Sequence, residues 1–155
     1  MSDWLGARRI INAYGTNTRL GGGLLAKEVT DAMAAAARGC VEMHDLQAAA
    51  SRAIVEATGA EAGIVTAGAA AALMLGAAAC MARLDPAVMN RLPDSAGVAN
   101  EFIVSRSQRN MYDRALRIAG GVIVELGIPD RLSGPGVRDA SAGELAEAIT
   151  PRTAA

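Results

Sequence analysis

Apolar positions along this chain recur with two periods. Short apolar runs sit at Ile64 and Val65, in "EFIVSR" (101–106) and in "GVIVELG" (121–127). Longer stretches between them carry apolar residues at helical spacing. The spacing predicts helices over residues 24–38, 45–58, 68–81, 110–119 and 141–149. Several of these ends are marked. Gly39 and Gly59 stand where C-caps fall, and His44 or Asp45 is placed to cap the second helix. Asp85 followed by Pro86 opens a short helix that Pro93 stops. Ser141 with Glu144 has the spacing of a capping box. Residues 128–140, with Pro129, Gly134, Pro135 and Gly136, read as loop. Strands alternating with helices indicate an α/β fold, a parallel sheet with helices on its faces. By that alternation another strand is due at the closing "ITPRTAA", and the chain reads as a fragment of a longer protein.

Composition narrows the class. With 155 residues, 52% hydrophobic and 20% charged, the chain is long and apolar enough to bury a core. A net charge of −1 offers no bulk attraction for nucleic acid or an anionic membrane. The N-terminal "MSDWLGARRIINAYG" lacks the apolar stretch of a signal peptide. Residues 67–81 are too short and alanine-rich for a membrane span. A cytoplasmic protein is expected. Cys40 and Cys80 fit no zinc or redox spacing and read as buried, reduced thiols. Met74 and Met81 read as core filler. Among 15 basic residues Lys27 is the one lysine, so a site needing a reactive amine has one candidate here. Lys27 itself reads as a solvated helix residue.

The turn at Thr66-Ala67-Gly68, between an apolar run and a long helix, admits two readings. It is either a plain strand–helix connection or an anion cradle. For the cradle, the first amides of the helix lack intrahelical partners and the helix dipole favours negative charge. Gly68 lets an anion approach the backbone, and Thr66 carries a hydroxyl. No Lys-Ser/Thr follows, so the turn is not a P-loop.

Five further segments occur in order: "INAYGTNTRLGGG" (11–23), "VEMHDLQ" (41–47), "TGAEAGIVTAGAAAAL" (58–73), "RLPD" (91–94) and "SRSQRNMYDRALRIAGG" (105–121). Together they resemble the selenocysteine synthase-like family of pyridoxal-phosphate (PLP) enzymes. That family includes L-seryl-tRNA(Sec) selenium transferase and D-glucosaminate-6-phosphate ammonia-lyase, and the likeness is nearer the ammonia-lyase branch. The resemblance implies fold type I, a three-layer α/β/α sandwich. Residues 1–60 would form an N-terminal loop and helices, and 61–155 the first part of the PLP-binding large domain. It implies that Thr66, Ala67, Gly68 and Ala69 hold the cofactor phosphate and that Gln108 lies beside the ring. Family members carry a histidine at the position of Gln108, and a glutamine amide is a poorer stacking platform. The lysine that holds PLP as a Schiff base is implied to lie beyond Ala155, so this chain would be inactive alone. The implied substrate is a small amine, an amino acid or amino sugar acid, and the implied assembly a homo-oligomer.

Arg19 in the glycine-rich loop and Arg109 are candidates for binding a substrate carboxylate or phosphate. Arg106 sits close to Arg109, whereas Arg114 and Arg117 share a helix face and read as surface charges. His44 has no second histidine or cysteine near it, so a metal site has no support. Two functions follow as expectations. One is the N-terminal portion of a PLP-dependent lyase or transferase. The other is a non-enzymatic, truncated paralogue serving in binding or oligomerisation.

Overall fold

The computed structural model describes residues 5–7, 9–129, 137–138 and 140–155. The chain divides into two compact units, Met1–Ala49 and Ala50–Ala155.

In the first unit the polar loop is organised by two asparagines. Asn12 Nδ2 donates to the Gly15 carbonyl at 2.7 Å, and Asn12 Oδ1 accepts from the Tyr14 amide at 2.9 Å. Asn17 caps a 3-10 turn, Thr18–Leu20, by accepting from the Arg19 amide at 3.0 Å. Asn17 also bridges to Gly22 in antiparallel fashion, which closes the loop. Helix α1 follows (Lys27–Ala36), shorter at both ends than the apolar spacing suggests, because Ala26 offers no side-chain cap. Helix α2 (Met43–Thr58) starts here and ends in the second unit. His44 and Asp45 lie inside its first turn.

In the second unit α2 ends at Gly59, as the sequence indicates, and the chain turns back on it. Gly63 passes so close to Ile54 that a Cβ there would lie 2.5 Å from Ile54 Cγ2. The Gly63 amide donates to Ser51 Oγ at 3.0 Å. Ile64 and Val65 were expected as a buried strand. They are instead exposed and belong to neither sheet among the described residues. Two apolar residues make a strand only where a ladder neighbour takes their backbone groups.

Next come α3 (Ala69–Ala82) and α4 (Pro86–Arg91), the latter capped by Asp85 Oδ1, which accepts from the Ala87 amide at 2.9 Å. Strand β1 (Glu101–Ser105), helix α5 (Asp113–Ile118) and strand β2 (Val122–Leu126) form a β–α–β unit. The strands pair in parallel from Glu101↔Val122 to Ser105↔Leu126. Two-residue strands β3 (Ile128–Pro129) and β4 (Val137–Arg138) pair antiparallel within the segment expected as loop, and residues 130–136 and 139 of that segment lie outside the described residues. Helix α6 (Ala142–Ala148) carries the complete capping box of Ser141 and Glu144. The chain then runs parallel along the free edge of β1. Thr153 bridges Glu101, the Ala154 amide donates to the Glu101 carbonyl at 2.8 Å, and the Ile103 amide donates to the Ala155 carbonyl at 2.9 Å. Where a strand is due after α6 the chain makes one isolated parallel bridge, short of a strand, and β1 is hydrogen-bonded on both edges.

The core lies between α3 and this sheet. Ala77 and Met81 meet Phe102 and Ala119, and Leu116, Ile123 and Ala154 close around them. Helix α3 is apolar on every side, a pattern that belongs to a helix covered all round. Only Ala77, Met81 and Ala82 are buried. Leu73, Met74 and Leu75 remain 40–45% exposed, so Met74 is not the core filler expected. Cys80 is exposed too, as is Cys40 after α1, which corrects the expectation of buried thiols. Among the described residues no helix is long and apolar enough to cross a membrane.

Candidate functional site

The start of α3 is built from backbone. Gly68, its N-cap residue, has φ 147° and ψ 175°, a conformation reserved for glycine. No side chain caps the helix at this end. The Thr66 hydroxyl donates to the Gly68 carbonyl at 2.9 Å and lies 3.4 Å from the Gly68 amide, which makes the turn rigid. The first backbone bond at this end runs from the Ala72 amide to the Gly68 carbonyl, 3.0 Å. The amides of Ala69, Ala70 and Ala71 have no partner among the described residues. A Cβ built at Gly68 would meet nothing within 4 Å, so the space beside Gly68 is open. Open space, exposed amides and a glycine-only backbone together suit a phosphate. The Thr66 hydroxyl shapes the turn from within.

Ala69 and Gln108 come to one place. A hollow of about 330 Å³ is bordered by Ala69 and Leu73 of α3, Val104 of β1, and Gln108, Asn110 and Asp113. It opens at the carboxyl end of β1, where ligands of open α/β sheets bind. Gln108 ends a 3-10 turn, Arg106–Gln108, that follows β1 directly. The Asn110 side chain donates to the Gln108 carbonyl at 2.9 Å and accepts from the Tyr112 amide at 2.8 Å, which fixes the loop into α5.

Beside the hollow lies a charge cluster that sequence reading missed. Arg106 Nε and Arg109 Nη1 both donate to the Glu125 carboxylate on β2, and Arg109 Nε donates to Asp113. Glu125 is the register partner of Val104, so the two side chains share a face of the sheet. Asp113 is buried, whereas the arginines are about one-third exposed. Arg109, a substrate-binding candidate, is thus held by two carboxylates. The same contacts, with the Asp113 hydrogen bond foremost, raise its pKa. Asp113 is held below the usual carboxylate range. The Arg109 hydrogen bond is the main cause, opposed by burial and aided by the Arg109 charge and by the Asn110 backbone.

A lowered folded pKa means that Asp113 adds stability above the unfolded value, and that this is lost as pH falls through the folded value. Denaturant unfolding should therefore show stability declining as pH drops from about 3.8 downward. Asp113→Asn should be less stable at neutral pH and flatter across the acid limb. Parallel curves for the two proteins would overturn this.

Arg19 is exposed at the centre of its 3-10 turn in the first unit. Lys27 is exposed on α1 and pairs with Asp31 at 2.5 Å. Among the described residues no cluster of three metal-ligating side chains occurs.

No protein-family model matches the chain. Among curated proteins it is 35% identical over 156 residues to the 5'-C-glycyluridine monooxygenase-decarboxylase of Streptomyces sp., covering 97% of this chain and 37% of that protein. It is 35% identical over 155 residues to the D-glucosaminate-6-phosphate ammonia lyase of Salmonella typhimurium (strain 14028s / SGSC 2262), covering 97% of this chain and 40% of that protein. A solved structure of a D-glucosaminate-6-phosphate ammonia-lyase superposes with a TM-score of 0.86 at 35% identity, over 97% of this chain and 40% of that one. The chain spans about two fifths of the length of the relatives it matches. Over that part it is similar in sequence and backbone to a lyase, and its helices and small parallel sheet follow that lyase's fold.

Proposed function

We propose that this chain is the N-terminal portion of a PLP-dependent lyase or transferase of fold type I, acting on an amino acid or amino sugar acid. One observation carries the reading: Ala69, the first residue of α3, and Gln108 border the same hollow at the carboxyl end of β1. The resemblance in the ordered segments and the likeness to an ammonia-lyase support it.

In this reading Thr66, Ala67, Gly68 and Ala69 hold the cofactor phosphate at the free amides that begin α3. Gly68 gives it close approach, and Thr66 keeps the turn in shape. Gln108 lies beside the ring. Leu73, Val104 and Leu116 supply an apolar wall that lowers the local dielectric. Bound PLP supplies an electron sink for the carbon that bears the substrate amine. Arg19 remains a candidate for the substrate's anionic group. Arg109 joins it there only by leaving one of its carboxylates.

The test is titration with PLP, followed by absorbance, of the protein that carries this chain. Saturable binding that inorganic phosphate competes away is expected. Absence of binding by a folded protein would overturn the reading. Self-association without PLP uptake would favour a non-enzymatic oligomerisation module, which the uncovered side of α3 also suits. Borohydride reduction with PLP and mass mapping should leave Lys27 unmodified. A stoichiometric adduct on Lys27, lost in Lys27→Arg, would place the covalent site within this chain instead.

A further inference from the structure

We propose that Glu125 is a positioning residue that pins the loop presenting Gln108 to the hollow. Arg106 and Arg109 stand on either side of Ser107 and Gln108, and both guanidiniums converge on the one carboxylate of Glu125. The same four residues are closed by a backbone hydrogen bond, from the Arg109 amide to the Arg106 carbonyl at 3.3 Å. The arch is therefore held by backbone, by the Asn110 side chain on the Gln108 carbonyl at 2.9 Å, by the contact of the Ser105 and Ser107 hydroxyls at 3.0 Å, and by a shared anion on the neighbouring strand. The 3.3 Å bond is long, and a bond of that length leaves a short 3-10 turn free to open. The carboxylate supplies the stronger, charge-assisted hold.

Its place in the sheet explains why the hold is firm. Glu125 is anchored in β2, which pairs with β1 residue by residue up to the root of the arch. Arg109 is held a second time by Asp113 at the start of α5. Strand, arch and helix are thus tied together by two arginines and two carboxylates whose charges balance. Arg109 and Glu125 each have two partners in the cluster, and a side chain already ordered by one partner forms its second bond at less entropic cost. The arginines act here as struts. Gln108, between them, is the side chain of the arch that borders the hollow.

This inference rests on the reading of Gln108 as the neighbour of PLP, and the experiment separates the two. In the protein that carries this chain, hydrogen exchange is measured over residues 106–113 for wild type and Glu125→Gln without cofactor. Exchange there should rise about tenfold, the scale of one lost charge-assisted bond, while the β1–β2 ladder stays protected. Circular dichroism of bound PLP is then compared for wild type, Glu125→Gln, Gln108→Ala and the double variant. Glu125→Gln should weaken the signal, and should add nothing in the Gln108→Ala background. Unchanged exchange would overturn the fastening. Independent, additive effects of the two substitutions would overturn positioning through Gln108. Failure of wild type to bind PLP would sink the functional reading, and the positioning role with it, whatever the exchange shows.

Discussion

Gly68→Val is expected to remove the phosphate's share of cofactor affinity. The residue's φ of 147° lies where a β-branched side chain is strained, so valine must pull the turn toward another conformation. The turn sets the direction of the α3 amides, and the branched Cβ would occupy the space an anion needs. A helix start in good geometry contributes up to about 2 kcal/mol toward an anion, or about thirtyfold in affinity. PLP and pyridoxal, which lacks the phosphate, should therefore bind with different affinities to wild type and with nearly the same affinity to Gly68→Val. Nothing crowds a Cβ at this position, so the loss in folding stability should stay within roughly 1–3 kcal/mol, the cost of a strained backbone. Comparing the two ligands on both folded proteins decides the matter. An undiminished preference for PLP in the variant would show that the phosphate sits elsewhere.

Gly120→Ala should be far more damaging to folding. A Cβ there would lie 2.3 Å from the Pro93 carbonyl oxygen, at a φ of 104° that L-residues avoid. The obstacle is backbone, which cannot rotate aside. The same corner is tied by Ser95 Oγ, which donates to the Gly120 carbonyl at 2.7 Å and accepts from Asn100 Nδ2 at 2.9 Å. Next to it, Gly121 lies against the Phe102 ring at the centre of the core. Relief of the clash must move one of these. A loss of about 4 kcal/mol or more is expected, enough to unfold a domain of ordinary stability. Gly97→Ala is the control, because Gly97 has a φ of 79° and no atom within 4 Å of its would-be Cβ. It should lose only about 1–2 kcal/mol. Equal losses in the two variants, measured by denaturant unfolding, would mean that backbone strain alone governs Gly120.

The elements legible in the sequence are those with local signals. Asp85 with Pro86, Ser141 with Glu144, and the runs of 101–106 and 121–127 all specify structure through neighbours a few residues away. The turn before α3 was legible for the same reason, since a glycine after a polar turn announces an uncapped helix start. What escaped depends on partners distant in the chain. Ile64 and Val65 have strand composition, yet a strand exists only in a ladder. Met74 and Cys80 look buried by residue type, but both side chains stay exposed on α3, Met74 at the border of a hollow with Ala115 and Ile118 of α5. The cluster around Glu125 was invisible because Arg106, Arg109 and Glu125 meet only once β1 and β2 are paired. A list of arginines reads as a basic patch, and the fold turns two of them into the neutral fastening of a loop. The hollow was half legible. The resemblance implies one ligand for Ala69 and Gln108, and the crossover from α3 to β1 brings both to the border of one hollow.

The two edges of β1 are not filled at the same time during synthesis. Its pairing with β2 closes over the short crossover through α5, whereas Thr153 reaches Glu101 only after α6 has been made. Loop closure favours the nearer partner, so the β1–α5–β2 unit can form while the other edge of β1 still awaits its strand. Until residues 152–155 leave the ribosome, that edge presents unpaired amides and carbonyls beside the exposed apolar side of α3. An open strand edge next to an apolar surface is the kind of intermediate that associates with its own copies. Slow translation through the α6 region would lengthen that exposure, and a chaperone bound to the nascent chain there would shorten its consequences.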